Sequence, residues 1–335
     1  MGTLLKTTLS RKLGISTDRI WHVAIMPCFD KKLEASREEL TDAVWEGIGT
    51  RGVRDVDCVI TSKELLMLAD SRRIDFATLP RTPLPRTLFP DAKLDSFLFP
   101  PPRWHHNGEP AAGSSGGYLH FILQSFVSKH EGASIQSTRG RNADVVEYTV
   151  TSATGEVIFK SARYYGFRNI QNLVRKLKPT RPSRMPGGRP IGSARKPAGK
   201  SSGPDHAYVE VMACPGGCTN GGGQIKVDDP VVIGRDEASV AKPGLFEQKA
   251  WLAQVDEAYF SGDDSVAVLD DQNDLVDGIS PSFVKDTLAY WATITGIDLG
   301  RLVYTSYREV VSDVGKTPGE TERVIEIAGK IGGGW

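Results

Sequence analysis

Tyr208-Val209-Glu210-Val211-Met212-Ala213-Cys214-Pro215-Gly216-Gly217-Cys218, continued by Thr219-Asn220-Gly221-Gly222-Gly223-Gln224, is the stretch on which the reading of this chain turns. Residues 208–212 have the composition of a buried strand. The strand runs into two thiols four residues apart, with a proline and two glycines between them. Such a turn can aim both sulfurs to one side. The glycine run that follows carries no Cβ atoms, so its backbone can approach a bulky inorganic group and present N–H groups to sulfide or thiolate. The spacing therefore points to a metal-binding pair. Two other readings stand beside it. Structural zinc usually sits on Cys-x2-Cys with a second close pair, and the sequence has neither. Two inert buried cysteines would be ordinary, but would leave the glycine run without a purpose.

Working outward, Met26-Pro27-Cys28 closes an apolar run over 20–28 that reads as a strand. In open α/β sheets ligands collect at the carboxyl ends of strands, which makes Cys28 a third ligand beside Cys214 and Cys218. Lys31 and Lys32 follow at once and favour thiolate over thiol. Cys58 lies inside the β-branched run 56–61 and reads as a small core residue. Thr61 and Glu64 form a capping box for the next helix. Helices are expected over 1–13 and 34–48, the latter stopped by Gly49, and over 118–129, 169–177, 245–260 and 320–331. Another begins at Ser280-Pro281. Residues 145–151 and 157–161 form a hairpin around Ala153-Thr154-Gly155, and 301–307 read as a last strand. Strands alternating with helices predict βαβ units and a mainly parallel sheet. The turn Gly113-Ser114-Ser115-Gly116-Gly117 opens a helix and is either an anion site or a plain surface loop.

Composition bounds the rest. The chain has 335 residues, 39% of them hydrophobic, enough for a two-lobed unit with real cores. Lys plus Arg and Asp plus Glu both number 41, so the zero net charge gives no ground for nucleic acid or an anionic membrane as partner. No apolar run reaches the roughly 20 residues of a membrane span. Four cysteines make no disulfide framework, and without an export signal the thiols are expected reduced or metal-bound. Residues 178–206, rich in Pro, Gly, Ser, Arg and Lys, have no apolar periodicity and read as a disordered insertion. They separate an α/β region at 1–177 from a second at 207–331, with a tail at 332–335. No histidine triad, nucleophile elbow or Walker A sequence is present.

These residues resemble a known family. Met26-Pro27-Cys28-Phe29-Asp30-Lys31-Lys32-Leu33-Glu34 looks like the second signature of the iron-only hydrogenases, and Tyr208 to Cys218 with Gly221-Gly222-Gly223-Gln224 looks like the third. The continuations Glu34-Ala35-Ser36-Arg37 and Cys218-Thr219-Asn220-Gly221 are similar to the eukaryotic hydrogenase-like proteins of cytosolic iron–sulfur protein assembly, and the long insertion is what a fungal member would carry. The resemblance implies a two-lobed α/β fold without hydrogenase activity, the alternatives being a fragment of a catalytic iron-only hydrogenase or a zinc-bound or metal-free α/β interaction module. It implies a [4Fe–4S] cluster on Cys28, Cys214 and Cys218, with Lys31, Met212, Gly216 and Gly217 beside it and Lys31 in an electrostatic role. It implies a cytoplasmic, and also nuclear, setting, with scaffold and targeting-complex proteins as partners, a WD40 propeller protein among them. Trp335 matches a terminal aromatic residue of the family that docks to that complex, although Gly334 departs from the acidic residue often found before it. The family's first signature, which brings a fourth cysteine, and the cysteine set of a second cluster are missing from residues 1–335, so the chain is expected to lack an N-terminal part.

Overall fold

The computed structural model describes residues 1–48, 52–80, 82, 85, 87–99, 112–140, 142–177, 206–233, 243–261 and 275–306. In chain order these form α1 (Gly2–Leu13), β1 (Val23–Met26), α2 (Asp30–Ala35), α3 (Asp42–Glu46), β2 (Cys58–Thr61), α4 (Ser62–Ser71), α5 (Ala92–Leu98), α6 (Tyr118–Lys129), β3 (Ser134–Arg139), β4 (Val145–Thr151), β5 (Val157–Tyr165), α7 (Phe167–Leu177), β6 (Tyr208–Met212), α8 (Pro230–Ile233), α9 (Leu245–Phe260), α10 (Pro281–Thr295) and α11 (Leu299–Val303). Met1–Val303 make one compact unit and Tyr304–Trp335 a second. The expected insertion at 178–205, Gly49, the helix over 320–331 and Trp335 lie outside the described residues.

The class is α/β, with one parallel and one mixed sheet. β1 and β2 pair in parallel, Val23 opposite Cys58 and Met26 opposite Thr61. The larger sheet has the order β3-β4-β5-β6. Its first three strands are an antiparallel meander built on the expected hairpin, and β6 adds in parallel to β5. Both cysteine segments thus leave the carboxyl end of a strand in a parallel pair. Because β6 completes the sheet of β3 to β5, and α10 packs on α1, the regions on either side of the insertion share their layers.

Alternation along the strands explains the layering. Val150 on β4 faces Leu119 and Leu123 of α6, with Phe159 and Tyr208 around them. On the opposite face Ala162 and Tyr164 of β5 meet Leu173 of α7. A separate helical core joins Leu4, Trp45, Leu94, Trp291, Ile297 and Leu302. Each fully buried large apolar side chain contributes roughly 1.5–3 kcal/mol relative to exposure.

Two sequence expectations are corrected. The helix over 34–48 is two short helices. After Ser36 the chain turns, Thr41 forms an antiparallel bridge with Arg54, and the Asp42 N–H donates to the Val53 carbonyl at 2.9 Å; this long-range pairing outweighs helix propensity. Of the strand expected over 301–307, residues 301–303 belong instead to α11, its first turn held by Asp298, whose carboxylate accepts from Gly300 N–H at 2.8 Å and whose carbonyl accepts from Arg301 N–H at 3.0 Å. The buried face of α1 is largely polar: beside Leu4 it carries Lys6, Thr7 and Thr8, while Leu13 is exposed. The Lys6 ammonium donates to the Arg54 carbonyl at 2.6 Å and to Asp57 at 2.8 Å, and Trp291 donates to Thr7 Oγ1 at 3.0 Å.

The packing of α6 on the mixed sheet gives a first test. Leu123→Ala is expected to cost about 2–5 kcal/mol, read as a lower urea midpoint with unchanged slope. An unchanged midpoint would show that α6 does not close this core.

Candidate metal centre

The cysteines are brought together by two loops stitched to each other. After β6 the chain turns through Pro215 and Gly216; the Gly217 N–H donates to the Cys214 carbonyl at 3.3 Å, and the Gly221 N–H to the Cys218 carbonyl at 2.9 Å. Gly217 sits at φ +102°, and a Cβ there would meet Ser114 Oγ at 2.5 Å, so both backbone angle and space exclude a side chain. The glycine run then crosses the end of β1. The Gly223 N–H donates to the Pro27 carbonyl at 3.0 Å, and the Gly223 carbonyl accepts from Lys63 N–H at 3.0 Å in the first turn of α4. A Cβ on Gly221 would overlap the Pro27 carbonyl oxygen. Cys28, the next residue, is thereby held against the turn that carries Cys214 and Cys218.

The side chains meet accordingly. Cys28 lies beside Cys214, and the Gly222 N–H is the backbone donor nearest in effect to the Cys214 sulfur. Cys218 lies within electrostatic reach of Cys28 and of Lys31. Burial, with Cys28 beside it, pushes the Cys214 thiol up to about 11. Burial and Cys28 also raise Cys218, against an opposing pull from Lys31. At Cys214 and Cys218, desolvation wins. Lys32 is engaged by α4. Its ammonium binds Glu64 at 2.7 and 2.8 Å, the same carboxylate that completes the Thr61 capping box. Lys31 pairs with Glu34 at 2.7 Å.

Cys58 stands apart and is half-buried rather than a full core residue. It pairs with Val23 at the opposite end of β1 from Cys28, and the three steps from Val23 to Met26 alone put about 10 Å of strand between them. Met212 ends β6, its carbonyl accepting from Gly166 N–H at 2.8 Å. The Gly216 N–H donates to Asp144 at 2.7 Å.

One residue of the quoted stretch had no assigned part in the sequence reading. Glu210 is buried, and its carboxylate accepts from Ser115 Oγ at 2.9 Å, from Tyr165 OH at 2.8 Å and from the Leu119 N–H at 3.1 Å. Leu119 lies in the first turn of α6, so the anion at this helix start is the chain's own carboxylate, stabilised by the helix dipole. This settles the Gly113–Gly117 turn as a closed structural joint. The adjacent Ser114 Oγ accepts from Thr219 N–H at 3.3 Å, which connects the joint to the cysteine turn. A carboxylate between β-branched residues of a strand was the available signal.

A donor set of three sulfurs around glycine N–H groups suits an iron–sulfur cluster, whose corners take thiolates. Tetrahedral zinc gathers its sulfurs onto one point about 2.3 Å away. Among the described residues no three His, Cys, Asp or Glu side chains converge as ligands of one ion do.

The model of the iron only hydrogenase large subunit, C-terminal domain, matches residues 1–222. The chain belongs to this family. Solved structures agree on the fold of the iron-only hydrogenase family: an [FeFe]-hydrogenase described for oxygen inactivation of its H cluster aligns with 91% of this chain and 66% of its own at TM-score 0.53 and 19% identity. The structure of HydA(deltaEFG) aligns at TM-score 0.52 and 19% identity, over 91% of this chain and 67% of its own. Curated relatives are much closer in sequence. The cytosolic Fe-S cluster assembly factor NAR1 of Botryotinia fuckeliana is 73% identical over the whole chain, which spans 59% of that protein. The protein of the same name from Sclerotinia sclerotiorum is 73% identical, with 60% of its length spanned. Neurospora crassa nar-1 is 65% identical, with 58% spanned. The chain thus covers about three fifths of the length of these relatives.

The geometry is tested by mild oxidation of the metal-free chain. Cys28–Cys214 is expected as the main crosslink in peptide mass spectra, with Cys58 free. A dominant crosslink to Cys58 would contradict the described arrangement.

Proposed function

We propose that this chain is a cysteine-bearing part of a cytosolic iron–sulfur cluster assembly factor, an adaptor and carrier that helps deliver clusters to cytosolic and nuclear apoproteins and does not turn over hydrogen. The observation that carries the reading is that Cys28 and Cys214 lie side by side, with Cys218 within electrostatic reach, in the loops that leave the carboxyl ends of β1 and β6. Relatives that are 65–73% identical bear the assembly-factor name, whereas the solved hydrogenases share only the fold.

In this reading the three thiolates hold a [4Fe–4S] cluster, which when bound supplies a one-electron redox and iron–sulfide centre. The chain's own residues orient and shield it. The Gly223 link to Pro27 fixes the separation of the two ligand loops. Gly222 offers an N–H to sulfur, which spreads negative charge. Lys31 supplies a positive field at Cys28 and Cys218, and Met212, Gly216 and Gly217 frame the turn. A cube has four corners to ligate, and Cys58 stands at the wrong end of its sheet to serve. Scaffold and targeting-complex proteins, a WD40 propeller protein among them, are the proposed partners, with Trp335 as a docking element.

Cys214→Ala and Cys218→Ala should each abolish retention of iron and acid-labile sulfide after anaerobic reconstitution, while Cys58→Ala retains both. Loss of the cluster on Cys58→Ala alone would overturn the ligand assignment. Deletion of Trp335 should weaken capture of the targeting complex with iron content unchanged; equal capture would remove the tail from the account.

A further inference from the structure

Lys226 follows the glycine run by three residues, and nothing in its local sequence marks it out. Its backbone is pinned by Asp229, whose carboxylate accepts from the Lys226 N–H at 2.6 Å and whose own N–H returns to the Lys226 carbonyl at 3.0 Å. Asp229 is buried and also binds the Lys63 ammonium. The Lys226 ammonium is thereby directed back at the cysteine turn. It donates to the Asn220 carbonyl at 3.0 Å and to Asn220 Oδ1 at 2.9 Å. The Asn220 amide in turn donates to the Pro215 carbonyl at 2.9 Å. The relay Lys226–Asn220–Pro215 therefore spans the turn between Cys214 and Cys218.

The electrostatics give this relay a purpose. Lys226 is half-buried and lies within electrostatic reach of Cys214, Asp229 and Asp228. Both of its hydrogen-bond acceptors on Asn220 are neutral, so they aim the charge without cancelling it. Lys31, the other ammonium within reach of the cysteines, is about half exposed and bonded to Glu34, which offsets much of its field. Thiolates in a desolvated pocket need a compensating cation, and Lys226 is the ammonium placed at Cys214.

We propose that Lys226 is a positioning residue of the cysteine site: through Asn220 it sets the Cys214–Cys218 turn, and its charge compensates the Cys214 thiolate, slowing loss of the cluster and raising its reduction potential. The inference rests on the reading that these cysteines hold an iron–sulfur cluster, and it adds a residue to that site. A fixed positive charge favours the more negative, reduced state of a cluster, so its removal moves the potential down.

The test reconstitutes the chain anaerobically with ferrous iron and sulfide and compares wild type, Lys226→Gln, Lys226→Met and Lys226→Arg. Iron loss to a chelator and the midpoint potential are measured, with thermal melting of the metal-free proteins as a fold control. Lys226→Gln can still donate to Asn220 but carries no charge. It should lower the potential and lose iron about tenfold faster, in the range found for residues supporting metal ligands. Lys226→Met should do the same or more, and Lys226→Arg should bring the potential back toward wild type. A wild-type potential and loss rate in the Gln and Met variants would overturn the proposal. So would faster loss with an unchanged potential, which would reduce Lys226 to a purely structural part. A wild-type chain that takes up neither iron nor sulfide would instead defeat the cluster reading itself, before any variant is compared, and this inference with it.

Discussion

The Gly223 N–H to Pro27 carbonyl hydrogen bond joins two loops that are distant in sequence, and the cysteine site depends on it. It can form only because the glycine run lies flat on the end of β1, where a side chain at position 221 would occupy the space of the Pro27 carbonyl. A buried backbone pair of this kind contributes modestly when made, about 1 kcal/mol net, and costs more when broken and left unsatisfied. Its larger consequence is geometric. Pro27 is bonded to Cys28, and the glycine run is continuous with Cys218, so one contact sets how far apart three sulfurs stand.

Support for that contact comes from both sheets. On one side the parallel pair β1–β2 delivers Cys28 and, through the Thr61 capping box, the start of α4 that receives the Gly223 carbonyl. On the other side β6 delivers Cys214, and Glu210 locks β6 to β5 and to the first turn of α6. Burial raises the Tyr165 hydroxyl well above its ordinary range, and Glu210 adds to the effect, so Tyr165 stays a neutral donor to Glu210. The cysteine turn is fastened to this joint by Ser114 and Thr219 and, beyond it, by the bond from Thr219 Oγ1 to Asp256 of α9 at 2.6 Å. The buried polar groups here are connected to one another, which specifies one arrangement of the loops.

Much of this was legible in the sequence where the signal is local. The helix Tyr118–Lys129, the capping box at Thr61 and the hairpin over 145–161 follow from turn and cap chemistry, and they stand in the structure as expected. The cysteine turn was legible for the same reason, since Pro and Gly between thiols state a backbone geometry. What was not legible depends on distant partners. The break of the 34–48 helix comes from the bridge of Thr41 to Arg54. The polar burial of α1 comes from Asp55 and Asp57, to which Thr3 and Lys6 are bonded. Residues 301–303 have a composition open to strand or helix, and Asp298 and the burial of Leu302 decide it. Lys226 and Asp144 reach the cysteine turn from segments that carry no local mark of it.

The central claim is that these three thiols address one iron–sulfur cluster. Iron X-ray absorption of the anaerobically reconstituted chain tests it most directly. The account predicts iron in a predominantly sulfur shell with a short iron–iron distance, both lost in Cys214→Ser. Iron bound only through oxygen or nitrogen, or a preparation that holds zinc and no labile sulfide, would contradict it.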